Sequence, residues 1–219
     1  MSYAGRQLEL ATPPTWGGRR DGAGRKPSGR RRVPHVRRAV HDRRCPVHVT
    51  LRARDGMPSL RRGDVFVAIR AAFAKASRDR FRLLHYSVQR DHVHLILEAD
   101  GSDALWRGVQ GLTIRAAKAV NRVLSRHGTV WADRYHVRVL ATPREVRHAL
   151  VYVLQNWRKH LGGVRGFDPR SSAAWFRGWR MTKPAPPGRS PVVAARTWLA
   201  SVGWRRHGLI GVEEMPRRP

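Results

Sequence analysis

The chain has 219 residues, with 44 Lys and Arg against 15 Asp and Glu, a formal net charge of +29. That length suits one domain with a sizeable core plus tails, and the cationic excess selects a polyanion held through counterion release rather than a small-molecule substrate. Cys45 is the single cysteine, which excludes an intrachain disulfide and a cysteine-based zinc site; with no bilayer-spanning apolar run, secretory h-region or lipid anchor, a cytoplasmic, nucleoid-associated protein with no membrane partner is expected.

Residues 1–44 are Gly-, Pro- and Arg-rich with almost no apolar periodicity, and read as a disordered basic tail. Within it, Gly22-Ala23-Gly24-Arg25-Lys26-Pro27 offers Arg25 and Lys26 to DNA, either in a narrow minor groove or on phosphates without sequence preference. A folded domain is expected over residues 45–163. Pro46 to Ala53 alternates like a strand, and Asp64 to Ala76 carries Val65, Phe66, Ile69, Ala72 and Phe73 at helical spacing. Phe81 to Gln89 predicts a second strand, with Phe81, Leu83, His85 and Ser87 on one face and Leu84, Tyr86 and Val88 on the other. The short Arg90-Asp91 link makes it a hairpin with an apolar strand beginning at His92.

A long helix is predicted from Ser102 to His127, capped by Ser102 or Asp103, buried along Leu105, Val109, Leu112, Ala116, Ala119, Val120 and Leu124, and stopped by Gly128. Val130 to Leu140 reads as extended. Thr142-Pro143-Arg144-Glu145 is a capping box with Pro at the first helical position, opening a helix to about His160 that Gly162-Gly163 ends. Strand, helix, strand, strand, helix, strand and a final helix is an α+β order: a ferredoxin-like split β-α-β antiparallel sheet with helices on one face. Residues 164–219 hold Trp175, Phe176, Trp179, Trp198 and Trp204, too many aromatics for a solvated tail, so this extension is expected to dock on the domain, with a short helix over Ala194 to Val202.

The most informative motif is His92-Val93-His94. Residues two apart on a strand point to the same face, so the two imidazoles project together as half a metal site. The last helix supplies what could complete it. His148, Tyr152 and Asn156 recur every fourth residue and share a face, with Gln155 close by. A metal held by imidazole and an amide oxygen can neutralise charge developing on a phosphate. A tyrosine one helical turn before that amide can attack phosphorus and keep the phosphodiester energy as a covalent intermediate. Among the other tyrosines, Tyr3 lies in the tail, Tyr86 reads as core, and Tyr135 is the rival nucleophile.

These pieces resemble the HUH single-tyrosine transposase family, and within it the REP-associated tyrosine transposase branch. The resemblance rests on His92-Val93-His94 after a strand hairpin, Tyr152-Val153-Leu154-Gln155-Asn156, Trp131-Ala132-Asp133-Arg134-Tyr135-His136, the N-terminal Gly-Ala-Gly-Arg-Lys-Pro run and Gly203-Trp204-Arg205-Arg206-His207-Gly208-Leu209. It implies nicking and rejoining of single-stranded hairpin DNA through a 5′-phosphotyrosine on Tyr152, leaving a free 3′-OH. It also implies Mg²⁺ or Mn²⁺ on His92 and His94 with Asn156 or Gln155 as the amide ligand, in a monomer or a dimer. The chain departs from the family's frequent Asn-Pro, since Trp157 follows Asn156.

Cations for DNA are offered by Arg115, Lys118 and Arg122 on the long helix, which otherwise form a solvated face, and by Arg134, Arg138, Arg144 and Arg147 nearer the motif. Two other readings stay open: a catalytically silent hairpin-binding protein derived from a transposase, and a cationic nucleoid protein that binds duplex and single strand alike.

Overall fold

In the computed structural model the described residues are 40–158, 166–181 and 186–216. The chain divides into the units Met1–Arg32 and Val33–Pro219, and every described residue belongs to the second. Arg25, Lys26 and the predicted helix end at His160 to Gly163 lie outside the described residues.

The elements are β1 (Val47–Arg52), α1 (Gly63–Ala74), β2 (Phe81–Val88), β3 (His92–Ala99), α2 (Ser102–Val123), β4 (His136–Val139), α3 (Pro143–Gln155) and a short α4 (Trp198–Ser201). The sheet order is β2-β3-β1-β4, antiparallel throughout, so β3 lies between the two strands that α1 connects. This is the expected split β-α-β arrangement.

Alternation along each strand sorts the side chains into two cores. Val47, Val49 and Leu51 of β1 and Val93, Leu95 and Leu97 of β3 pack with the buried stripes of α1 and α2 on one face. The helices of the split unit therefore share a face. The additional helix α3 covers the other, where Leu150, Val151, Val153 and Leu154 join Leu84, Ile96 and the aromatic residues Phe176, Trp179 and Trp204. Its start is the capping box read from sequence: Thr142 Oγ1 accepts from the Glu145 backbone N–H, and Glu145 accepts from that of Thr142.

Three local expectations are corrected. Strand β2 carries a bulge between Leu83 and His85, so Leu84 has no partner on β3. One extra residue reverses the alternation beyond it. Tyr86 and Val88 therefore face the α1–α2 core with Leu83, while Ser87 lies opposite His94 on the other side. Secondly, neither Ser102 nor Asp103 caps α2. Gly101 is the N-cap, and Ser102 Oγ instead accepts the His41 backbone N–H at 2.9 Å. Thirdly, α2 ends at Val123, because Ser125 already turns the chain at φ 47° before Gly128 at φ 91°. The extended stretch after it narrows to β4, with Trp131 forming an isolated bridge to Ala53.

The C-terminal stretch is fastened by polar anchors. Arg61 donates to both carboxylate oxygens of Asp168 at 2.8 Å and to the Val88 carbonyl, and the Asp168 side chain is fully buried. Buried Glu98 of β3 accepts from the Thr197 hydroxyl and from the backbone N–H groups of Arg196 and Thr197, fixing the start of α4. Thr197 in turn caps α4 through Ala200. Among the described residues no helix is long and apolar enough to cross a membrane.

Removing one member of a buried ion pair leaves the other uncompensated, at a cost of about 3–5 kcal/mol. Asp168→Ala is expected to lower the urea-unfolding free energy by about that amount. A loss below about 1 kcal/mol, the range of an exposed pair, would show that the anchor carries no such weight.

Candidate functional site

The site is built on the sheet face that α3 covers. His92 and His94 both project there from β3, with ring centroids 4.7 Å apart and planes at 79°. The ring of Tyr152, from α3, lies 5.0 Å from that of His94 in an edge-on contact. The sequence motif and the helix tyrosine are therefore adjacent in space.

The antiparallel register extends the site across the sheet. Ser87, His94, Thr50 and His136 occupy one row, and Ile96, His48 and Arg138 the next. His48 Nε2 lies 3.1 Å from His94 Nδ1, and Thr50 Oγ1 is 3.1 Å from the same nitrogen. The His48 ring also reaches Tyr152, at 5.7 Å between centroids. Sequence reading missed His48, Thr50 and Asp91. Alternation in Val47-His48-Val49-Thr50 puts the first pair on one face, but only the pairing of β1 with β3 brings them to His94.

His92 Nδ1 lies 2.8 Å from Asp91 Oδ1. A carboxylate on one imidazole nitrogen fixes the ring and leaves the other nitrogen for a ligand. Partial burial acts to raise the Asp91 pKa, but the His92 hydrogen bond and the electrostatic pull of His92 and Arg52 outweigh it and hold the group below the usual carboxylate range. Burial, reinforced by His136 and Arg138, lowers the His48 pKa to about 4. Burial alone lowers that of His85, which packs edge-on against Phe176, also to about 4.

The two amides differ. Gln155 Nε2 donates to the carbonyls of Gly211 and Val212 at 2.9 and 2.7 Å, and its Oε1 accepts from Arg158. It fastens the C-terminal segment to α3. Asn156, one turn after Tyr152, is 1 % exposed, and both polar atoms of its amide are buried without a hydrogen-bond partner among the described residues. Such atoms are costly unless something satisfies them. No group of three His, Cys, Asp or Glu side chains among the described residues is placed to hold a metal ion. By chemistry, two imidazoles and an amide oxygen such as that of Asn156 would suit a divalent ion with open positions.

Tyr135 packs against the α1–α2 core with Val137, on the face away from His94, while His136 and Arg138 alternate toward it. Tyr86 is buried in the same core. Trp131 donates its Nε1–H to the Thr113 carbonyl, and Trp157 is buried. Of the proposed DNA cations, Arg134 and Arg144 are exposed, and Arg138 lies 3.6 Å from Glu145. Arg147 is engaged by Glu214 and by the Gly208 and Leu209 carbonyls. Arg115, Lys118 and Arg122 sit on α2, across the sheet from the histidines.

A family model described as "Transposase IS200 like" matches residues 43–156, from just before β1 to Asn156. The chain belongs to the IS200-like transposase family. Membership carries a transposase-type role on DNA, with DNA cleavage as the family's general activity and a general dependence on metal. A solved structure titled "Structure of the REP associates tyrosine transposase bound to a REP hairpin" is similar at a TM-score of 0.48 and 21% identity, over 60% of this chain and 76% of that one. A search of curated proteins finds no match.

The lowered imidazoles make stability depend on pH. In the unfolded chain His48 and His85 take protons near pH 6.5, but in the folded protein only near pH 4. Across that window the unfolded chain binds more protons, so stability is complete above it and declines as pH falls, by up to about 1.4 kcal/mol per pH unit for each imidazole. Unfolding of metal-free protein followed across this range should show that decline, and His85→Gln should make it shallower. A flat profile would contradict the burial of neutral imidazoles.

Proposed function

We propose that this chain nicks and rejoins single-stranded DNA containing REP-type hairpins, with Tyr152 as nucleophile and a Mg²⁺ or Mn²⁺ ion held by His92, His94 and Asn156. The observation that carries the reading is the placement of the Tyr152 ring 5.0 Å from that of His94. When bound, the ion would polarise the scissile phosphate and offset the charge that builds on it.

The chain's own groups account for the rest. Tyr152 Oη gives up its proton and bonds to phosphorus while the bond from phosphorus to the 3′ oxygen breaks. That oxygen leaves with a proton as a free 3′-OH, and the 5′ side stays on the enzyme as a phosphotyrosine. The reverse attack by a 3′-OH reseals the strand without an added energy source. Helix α3 sets the tyrosine's height above the sheet through the apolar contacts of Leu150, Val151 and Leu154. Gln155, engaged with the C-terminal segment, supports the helix end rather than serving as a ligand. His136 and Arg138 alternate toward the histidine face, and the exposed Arg134, before β4, and Arg144, at the start of α3, add cations for a phosphate backbone. The +29 charge supplies the sequence-independent part of the affinity, and nucleoid association would follow from it.

The test is incubation with hairpin-containing single-stranded oligonucleotides and Mg²⁺ or Mn²⁺. Wild type is expected to form a covalent protein–DNA adduct that Tyr152→Phe abolishes, while Asn156→Ala slows its formation at least about tenfold. Adducts that persist in Tyr152→Phe would remove the tyrosine from its role. Tight hairpin binding with no cleavage at any divalent ion would instead identify a silent hairpin-binding protein.

A further inference from the structure

The geometry points to His48 and Thr50 as positioning residues that lock His94 into the tautomer carrying its proton on Nδ1, so that Nε2 is left as the ligand atom. The inference rests on the metal reading proposed above and adds to it the groups that set the ligand's orientation.

Both residues approach the same atom of His94. His48 Nε2 and Thr50 Oγ1 each lie 3.1 Å from His94 Nδ1. A proton on that nitrogen donates to both acceptors in one three-centre bond, within ordinary hydrogen-bond range. The opposite tautomer would place the proton on Nε2 and remove the lone pair a metal needs. Ligating histidines generally donate their second nitrogen to a carboxylate, a carbonyl or water. His92 follows that pattern through Asp91. His94 has an imidazole and a hydroxyl instead, so its support is uncharged and the two ligands are held by unlike partners.

The three rings also form a closed set. His48 lies 5.1 Å from His94 and 5.7 Å from Tyr152, and Tyr152 lies 5.0 Å from His94, all between centroids. His48 is 7 % exposed and packs against both the ligand ring and the tyrosine ring. It therefore constrains the direction of the ligand lone pair and the approach of the tyrosine together. Strand β1 supplies these contacts because Val47 and Val49 turn into the opposite core, holding His48 and Thr50 toward the site.

The first test uses the intact wild type without metal. Long-range ¹H–¹⁵N correlation spectra, with His94 assigned by its loss in His94→Gln, are expected to show protonated Nδ1 and bare Nε2. A proton on Nε2 would overturn the proposal. The second test is Mn²⁺ binding followed by electron paramagnetic resonance. His48→Phe keeps a ring of similar size without an acceptor, and Thr50→Val keeps the shape without the hydroxyl. Each should weaken Mn²⁺ binding about tenfold or more, and His48→Gln, which restores an acceptor, should recover most of the loss. Mn²⁺ affinities equal to wild type in both His48→Phe and Thr50→Val would overturn it. Should His48→Phe fail to fold, Thr50→Val and the wild-type tautomer decide. A wild type that binds no Mn²⁺ would defeat the metal reading itself, which separates that failure from a wrong tautomer.

Discussion

The contact between α3 and the second face of the sheet is what the rest of the site depends on. A split β-α-β sheet covered on one side only would leave Leu84 and Ile96 open to water, and the histidines would project into solvent with nothing above them. Helix α3 buries these residues under Leu150, Val151 and Leu154 and in doing so lowers Tyr152 onto His94. The apolar stripe and the polar stripe of this helix are offset around its axis. One packs to the core, and the other carries His148, Tyr152 and Asn156 from the exposed N-terminal half to the buried C-terminal end. The same hydrophobic burial that stabilises the fold thus sets the distance between the Tyr152 ring and the His94 imidazole.

A second constraint comes from the C-terminal stretch. Arg147 with Glu214, Gln155 with Gly211 and Val212, Arg61 with Asp168 and Glu98 with Thr197 tie it to α3, the β2–β3 end and β3. Several of these are charge-assisted and partly or wholly buried, so they specify where the segment lies as much as they stabilise it. Phe176, Trp179 and Trp204 then fill the space beside α3 that a four-stranded sheet and one helix cannot close. Four of the cations that the sequence offers to DNA are used otherwise or stand apart: Arg147 is a fastener, and Arg115, Lys118 and Arg122 lie on α2, across the sheet from the histidines.

Much of this was legible from local patterns. Period-two alternation is enough to put His92 and His94 on one face, period 3.6 to align Tyr152 with Asn156, and a capping box to start α3 at Pro143. What depends on pairing was not legible. The bulge at Leu84 leaves no signature in an apolar run, yet it reverses every side chain beyond it and turns Tyr86 and Val88 to the same face as Leu83. His48 and Thr50 look like ordinary strand residues until β3 is placed beside β1. The difference between Gln155 and Asn156 is equally hidden, because residues more than fifty positions later come back to occupy the Gln155 amide nitrogen. That Tyr135 packs away from His94 depends on which face of β4 turns inward, and this too is set by pairing with β1.

The most direct measurement is the site of covalent attachment. Protein incubated with a hairpin oligonucleotide and Mn²⁺, then digested with nuclease and protease and read by mass spectrometry, should carry a nucleotide 5′-phosphate on the peptide containing Tyr152, with the fragment ions placing it on that residue. Attachment at Tyr135 or any other residue, or cleaved DNA with no attached nucleotide, would contradict the assignment of α3 as the helix that delivers the nucleophile.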